Sequence, residues 1–415
     1  MWKILLGEFF SDLRAQKTRA FLTMFAVMWG TMTVVLLLAF GEGMKNSLVR
    51  GILNAGDGIL MVYGGQTSVV HEGLPKGRPI RLVEDDMRLI EQSLPQEVDG
   101  VSVSYGRWGV TLETEDERTT TFMEGVNTSF EDMRRMYPAS GGRFLNAVDL
   151  EQKRRVVFLG NDIAARLFPG KDAVGGQVRI DGMPFTVVGV MQKKMQTSMN
   201  NGPDAERAII PSSTFQAIYG HRHVNHLIVR PTESRRSAFV KEEIYQVLGR
   251  KYKFNPKDER ALGVWDMVEG RRMTERVFLG IQIFLGVIGA LTLLVAGIGV
   301  ANIMYVVVRE RTREIGVKRA LGARRRHIVS QFVTESVVMS LSGGAVGFLI
   351  SYGIVEAVAG IPEKQGAMEM LGNPEVSLAV AMLTIGILGG IGLMAGIFPA
   401  IKASRVDPVE SLRYE

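Results

Sequence analysis

The sequence predicts a polytopic membrane protein, α-helical in the bilayer. Four transmembrane helices carry a large extracytoplasmic α+β domain inserted between the first and second. Three observations lead there. Four apolar runs each reach or exceed about twenty residues, enough to cross a bilayer. One long intervening stretch, residues 42–276, has mixed charge, frequent turn signals and no run of that length. The excess of Lys and Arg, 49 against 43 Asp and Glu, gathers beside the apolar runs rather than along the whole chain. That last pattern assigns the +6 formal charge to a membrane surface, not to nucleic acid. With no cysteine among 415 residues, disulfides and thiolate metal sites are excluded, so any external domain stands on its apolar core.

Taken in order, residues 1–19 combine Trp2, Leu5, Leu6, Phe9, Phe10 and Leu13 with Lys3, Arg14, Lys17 and Arg19. The pattern predicts an amphipathic helix lying in the cytoplasmic interface. A signal peptide is the competing reading. The apolar run at 20–41 is longer than a signal core, and no small-x-small cleavage site follows at Gly41-Glu42-Gly43, so it is read as a retained first span. Residues 42–276 form the inserted domain. Short β-rich runs at 58–63, 100–105, 109–113 and 119–124 alternate with helical patterns at 83–94 and 235–248.

The second span, 277–308, carries Gly280, Gly286, Gly289, Gly297 and Gly299 and is long enough to include a stalk. The third, 328–360, carries Gly343, Gly344, Gly347 and Gly353. Such small residues let helices approach closely in lipid. A short external loop at 361–375 leads to the fourth span, 376–401, and a tail at 402–415. The segment between spans two and three holds eight Arg or Lys in twenty residues, 309–328, whereas the loop between three and four has Lys364 against Glu363, Glu369 and Glu375. The positive-inside rule then makes the first segment and both termini cytoplasmic, and the inserted domain external.

Motifs for catalysis are scarce. Pro169-Gly170-Lys171-Asp172 lacks the hydroxyl and the leading glycine of a phosphate-binding loop, and reads as a turn. No Gly-x-Ser-x-Gly or His-Glu-x-x-His occurs. His221, His223 and His226 have a spacing that suits a metal on an extended loop, but surface histidines explain them more simply. Gly297-Ile298-Gly299 lies inside an apolar run and is no nucleotide fingerprint. Glu335 and Glu356 are the main charges inside the spans, each close enough to an interface to have a structural role. A chain so poor in intramembrane charge is expected to draw its energy from a partner.

The segment at 309–327 therefore carries the functional expectation. Ile315, Val317, Ala320 and Leu321 recur so that most fall on one side of a short helix, with Arg313, Glu314, Lys318 and Arg319 elsewhere. A helix of this kind between two spans can press on a soluble partner. A loop that only fixes topology is the plainer alternative.

Three motifs and the layout resemble the MacB/FtsX-like permeases, the mechanotransmission class of ABC transporters. The first is Arg313-Glu314-Ile315-Gly316-Val317-Lys318-Arg319-Ala320-Leu321-Gly322-Ala323, similar to the family's ATPase-contacting segment. The second lies in 156–191: Leu159-Gly160, Leu167-Phe168, Gly175-Gly176 and Phe185-Thr186-Val187-Val188-Gly189-Val190 resemble its extracytoplasmic domain. The third runs from Pro399-Ala400 to Asp407-Pro408-Val409-Glu410-Ser411-Leu412-Arg413. The resemblance implies a homodimer, or a heterodimer with a related permease, docking two copies of a separate ABC ATPase. ATP and Mg would be bound by that partner, and this chain would be a non-catalytic permease subunit without a fused ATPase domain. It further implies the bacterial inner membrane and leaves open a periplasmic adaptor and outer-membrane channel. Efflux of a drug, peptide or lipid-like substrate leads. Lipoprotein release and FtsX-like regulation of a cell-wall hydrolase are the alternatives, the latter disfavoured by the size of the external domain.

Overall fold

A computed structural model describes residues 17–56, 58–196, 200–361 and 372–405. The predicted interfacial helix at 1–19 lies outside these residues except for its last three, and most of the loop at 361–375 and of the tail lies outside them too. The chain forms two compact units, one of residues 48–275 and one of the remainder.

In chain order the elements are α1 (Lys17–Ala55), β1 (Leu60–Gly64), α2 (Asp85–Ser93), β2 (Val98–Glu113), β3 (Arg118–Val126), α3 (Phe130–Arg134) and α4 (Ala147–Glu151). Then come β4 (Val156–Leu159), α5 (Asn161–Leu167), β5 (Gln177–Ile180), β6 (Met183–Val190), β7 (Arg207–Pro211), α6 (Ser212–Tyr219), β8 (His226–Pro231), α7 (Ser237–Tyr252) and β9 (Leu262–Asp266). The chain ends with α8 (Met267–Glu310), α9 (Thr312–Ala320), α10 (Arg325–Ala359) and α11 (Leu378–Ser404).

In the inserted domain, β2 organises the sheet. Its first half pairs antiparallel with β8, and through β8 and β1 reaches β9 at an edge. Its second half joins a closed ring, in which β2 pairs β3, β3 pairs β7, β7 pairs β4, β4 pairs β6, β6 pairs β5 and β5 returns to β2. The sequence predicts two strands at 100–105 and 109–113, but they form one, bent by a bulge between Arg107 and Val110. Gly109 sits there at φ +71°, a conformation that favours glycine, and lets the strand turn without breaking. Alternation does the rest: Val101, Val103, Tyr105, Val110 and Leu112 are all buried. They join Ile90 of α2, Phe215 of α6 and Ile244 and Leu248 of α7 in one apolar core.

In the other unit, α1, α8, α10 and α11 are each long and apolar enough to cross a membrane. Their packing follows the glycines. A methyl on Gly343 would sit 2.9 Å from the Met24 carbonyl, and one on Gly347 would overlap the Met28 backbone, so α10 lies backbone to backbone against α1. On another side of α10, Ser336 and Ser340 meet Gly392 and Gly396 of α11, and Ser336 Oγ donates to Gly392 O at 3.0 Å. Small residues four apart on both helices are what close approach in lipid requires, where apolar burial supplies no drive. Gly289 against Val34 and Gly297 against Ile391 bring α8 to α1 and α11 in the same way.

Candidate functional site

The candidate segment folds into α9, a helix of nine residues. A single residue, Arg311, separates it from α8. The Arg311 N–H donates to Val307 O, and its carbonyl accepts from the Ile315 N–H, both at 3.0 Å, so the backbone bonding barely breaks. At the other end Gly322 adopts φ +91°. Its N–H donates to Arg319 O, and the Ala323 N–H to Lys318 O, each at 3.0 Å. This doubly bonded glycine cap satisfies the last carbonyls and turns the chain sharply out of the helix. Arg324, in extended conformation, then leads straight into α10. The order Ala-Leu-Gly-Ala-Arg thus encodes a helix end, a turn and a new start within five residues.

At 100° per residue α9 divides into two faces. Ile315 and Gly316 are buried, and Ile315 belongs to the same apolar cluster as Val308, Ile328, Phe332, Ala400 and Ala403. Arg313, Glu314, Val317, Ala320 and Leu321 are exposed, as is Gly322 in the cap. Leu321 is 84% exposed. Three of the four apolar residues predicted to share a side do share the outward one; Ile315 points the opposite way, into the helices. Lys318, Arg319 and Ala323 are half-buried. Lys318 Nζ lies 3.4 Å from Gln331 Oε1, and Arg319 donates to the Ser404 carbonyl at 3.1 Å. The exposed surface carries no nucleophile with an adjacent base. It offers apolar Val317 and Leu321 beside Arg313 and Glu314, which is the composition of a binding surface.

Sequence reasoning missed one feature near α9, the partner of Glu335. Glu335, expected to stand near the membrane interface, accepts an ion pair from Arg311 at 3.4 Å and is only 9% exposed. Glu356 lies exposed in the last turns of α10. The only sequence signal for the Arg311–Glu335 pair is a lone acid three turns into an apolar helix that starts with Arg324-Arg325-Arg326.

The histidines do not converge. His226 is buried on β8 with its ring 4.9 Å from that of Tyr63, whereas His221 stands edge-on to Phe215 at 5.3 Å. Among the described residues no three His, Asp or Glu side chains are arranged to hold a metal. His226 instead borders a buried ionic cluster that the sequence did not reveal. Asp204, fully buried, contacts Arg134 at 2.7 Å, Lys194 at 2.8 Å and Arg207 at 3.4 Å. Arg207 continues to Glu124 at 2.7 Å, and Glu124 accepts from Ser104 at 2.5 Å. Lys194 also donates to the carbonyls of Asn54 and Arg134, at 2.8 and 2.7 Å. Burial alone would raise the Asp204 carboxyl, but Arg134, Arg207 and Lys194 outweigh it and hold it well below the usual carboxylate range. Burial pushes His226 the other way, down to about 4. This cluster ties the end of α1 to the sheet and is structural.

Four membrane-crossing helices, a sheet domain inserted after the first, and a short surface helix between the second and third define a permease-type membrane protein. Comparison with known families makes this specific. Residues 20–247 match the MacB-like periplasmic core domain, and residues 286–408 match the FtsX-like permease C-terminal domain. The chain belongs to the MacB/FtsX-like family of ABC-transporter permeases, integral proteins of the bacterial inner membrane. It is 29% identical over 413 residues to the macrolide export ATP-binding/permease protein MacB of Bdellovibrio bacteriovorus, covering 99% of this chain and 61% of that one. It is 30% identical over 417 residues to the pyoverdine export ATP-binding/permease protein PvdT of Pseudomonas syringae pv. syringae, covering 99% and 60%. The chain thus spans about 60% of the length of these relatives. The crystallised periplasmic region of MacB from Actinobacillus actinomycetemcomitans overlays 55% of the chain with a TM-score of 0.43 and 16% identity.

Proposed function

We propose that this chain is the permease subunit of an ABC exporter, and that α9 is where a separate ATPase docks. The observation that carries the reading is the outward face of α9. Val317, Ala320 and Leu321 are presented to solvent beside Arg313 and Glu314, while Ile315 fastens the same helix to the spans. An apolar side chain as exposed as Leu321, on a helix anchored from behind, suits a protein partner better than water. The basic residues around it put α9 and both termini on the cytoplasmic side by the positive-inside rule. The inserted domain then faces the periplasm.

In this reading two permease copies, identical or related, carry two ATPase copies. ATP and Mg bind the partner, whose closure pushes on Arg313 to Ala323. The spans convey the push to the periplasmic domains, and no substrate need pass between the spans. Export of a drug, peptide or lipid-like molecule fits the relatives' names, macrolide in one and pyoverdine in another. Where a second membrane must be crossed, a periplasmic adaptor and outer-membrane channel complete the path.

Gentle purification of the tagged chain from its own membranes tests this. An ABC ATPase together with an adaptor or outer-membrane channel is the expected result. An ATPase with a murein hydrolase would make the chain a regulator of the cell wall instead. Absence of any ATPase under mild conditions would reject α9 as a docking helix.

A further inference from the structure

The way α9 is held shows which helices a force applied to it reaches. Its backbone continues both α8 and α10, through the single residue Arg311 at one end and the glycine turn at Gly322 at the other. Side chains add further ties. Arg311 reaches Glu335 of α10 at 3.4 Å, and Gln331, one turn earlier on α10, approaches both Glu335 and Lys318 at 3.4 Å. Arg319 holds the last turn of α11 through the Ser404 carbonyl at 3.1 Å. Ile315 is buried in one cluster with Val308 of α8, Ile328 and Phe332 of α10 and Ala400 and Ala403 of α11. The receiving pair is itself welded together, since Ser336 and Ser340 seat in the Gly392 and Gly396 notches. One residue from Ser336, Glu335 stands where the pull of Arg311 would enter that body.

We propose that Arg311 and Glu335 are a positioning pair that locks the head of α9 onto the α10–α11 body, so that load on α9 reaches the third and fourth spans as well as the second. The proposal deepens the docking reading and rests on it for its purpose, though not for its test. The pair suits the task because it is sheltered: the two side chains are 17% and 11% exposed. Breaking a sheltered pair by removing one partner costs more than breaking an exposed one. An exposed pair would instead be soft and screened.

The absence of cysteine allows a test that needs no ATPase. A nitroxide is attached to Ala320→Cys in the full-length chain in lipid vesicles, with a second preparation labelled at Ile350→Cys, exposed near the far end of α10. Arg311→Gln and Glu335→Gln are each expected to shorten the rotational correlation time at 320 by roughly two-fold while leaving 350 unchanged. The exchanged pair Arg311→Glu with Glu335→Arg is expected to restore the wild-type spectrum. An unchanged spectrum at 320 in both single variants would overturn the proposal. If the single variants loosen 350 as well, the exchanged pair decides: recovery at both sites supports the lock, and no recovery rejects it. Because the readout is taken without ATPase, failure of docking and failure of the lock are separate results.

Discussion

Asp204 is fully buried among three cations, so its charge is fixed by the fold rather than by the solvent. Replacing it with Ala leaves Arg134 and Arg207 buried with too little compensation. Asp204→Ala is expected to cost about 3–5 kcal/mol, read by chemical denaturation of the domain signal. His226 behaves oppositely. Its ring is buried, neither ring nitrogen has a hydrogen-bond partner among the described residues, and its folded pKa of about 4 lies below the ordinary 6.5. Between those values the unfolded chain binds the extra proton, so stability falls as pH drops from 6.5 towards 4. The loss is on the order of 3 kcal/mol. Carboxylates held low, such as Asp149 and Asp204, lose their contribution only at more acidic pH. The thermal midpoint of wild-type protein should therefore slope across that window, and His226→Phe should flatten it. A slope unchanged by the substitution would remove His226 as its source. The burial of neither residue was legible beforehand. Asp204 sits in a turn-like Gly-Pro-Asp, and one of its partners, Arg134, comes from 70 residues upstream, so only the fold reveals the whole cluster.

At the scale of elements, periodicity served well where one face is buried and poorly where two helices share a junction. The strands at β1 and β3 and the helices α2 and α7 follow from alternation and amphipathic spacing. The merger of two predicted strands into β2 does not, because a bulge at Gly109 and a chain end look alike in sequence. The helix α9 was legible from its spacing, but the inward turn of Ile315 was not, since burial there depends on Phe332 and Ala403 from distant spans. Glycine counts predicted close helix contacts without saying which glycines make them. Gly347 is closed by the Met28 backbone, whereas a Cβ on Gly353, six residues along the same helix, would meet nothing within 4 Å. Gly347→Leu should lower stability in detergent by about 1–3 kcal/mol or prevent assembly of the helices. Gly353→Leu should stay within about 0.5 kcal/mol of wild type. Equal effects would mean that α10 does not approach α1 as described.

For the whole molecule, the order of spans and domain was the most readable feature. Length and apolarity suffice for four crossings, and the inserted domain announces itself by its mixed charge. The family is equally plain, with matches across residues 20–247 and 286–408. The substrate of the proposed exporter was not read from the sequence, because no motif found in the inserted domain points to one class of molecule. The proposed function stands or falls with the outward face of α9 as an ATPase-docking surface. The most direct test places a photo-crosslinking amino acid at Val317 or Leu321, and at Ile350 as a lipid-side control, in cells that express the chain. Mass spectrometry then identifies what is captured. The account predicts an ABC ATPase bound covalently from 317 and 321 and absent from 350. An ATPase missing from both α9 positions, in cells where the chain is inserted and stable, would contradict it.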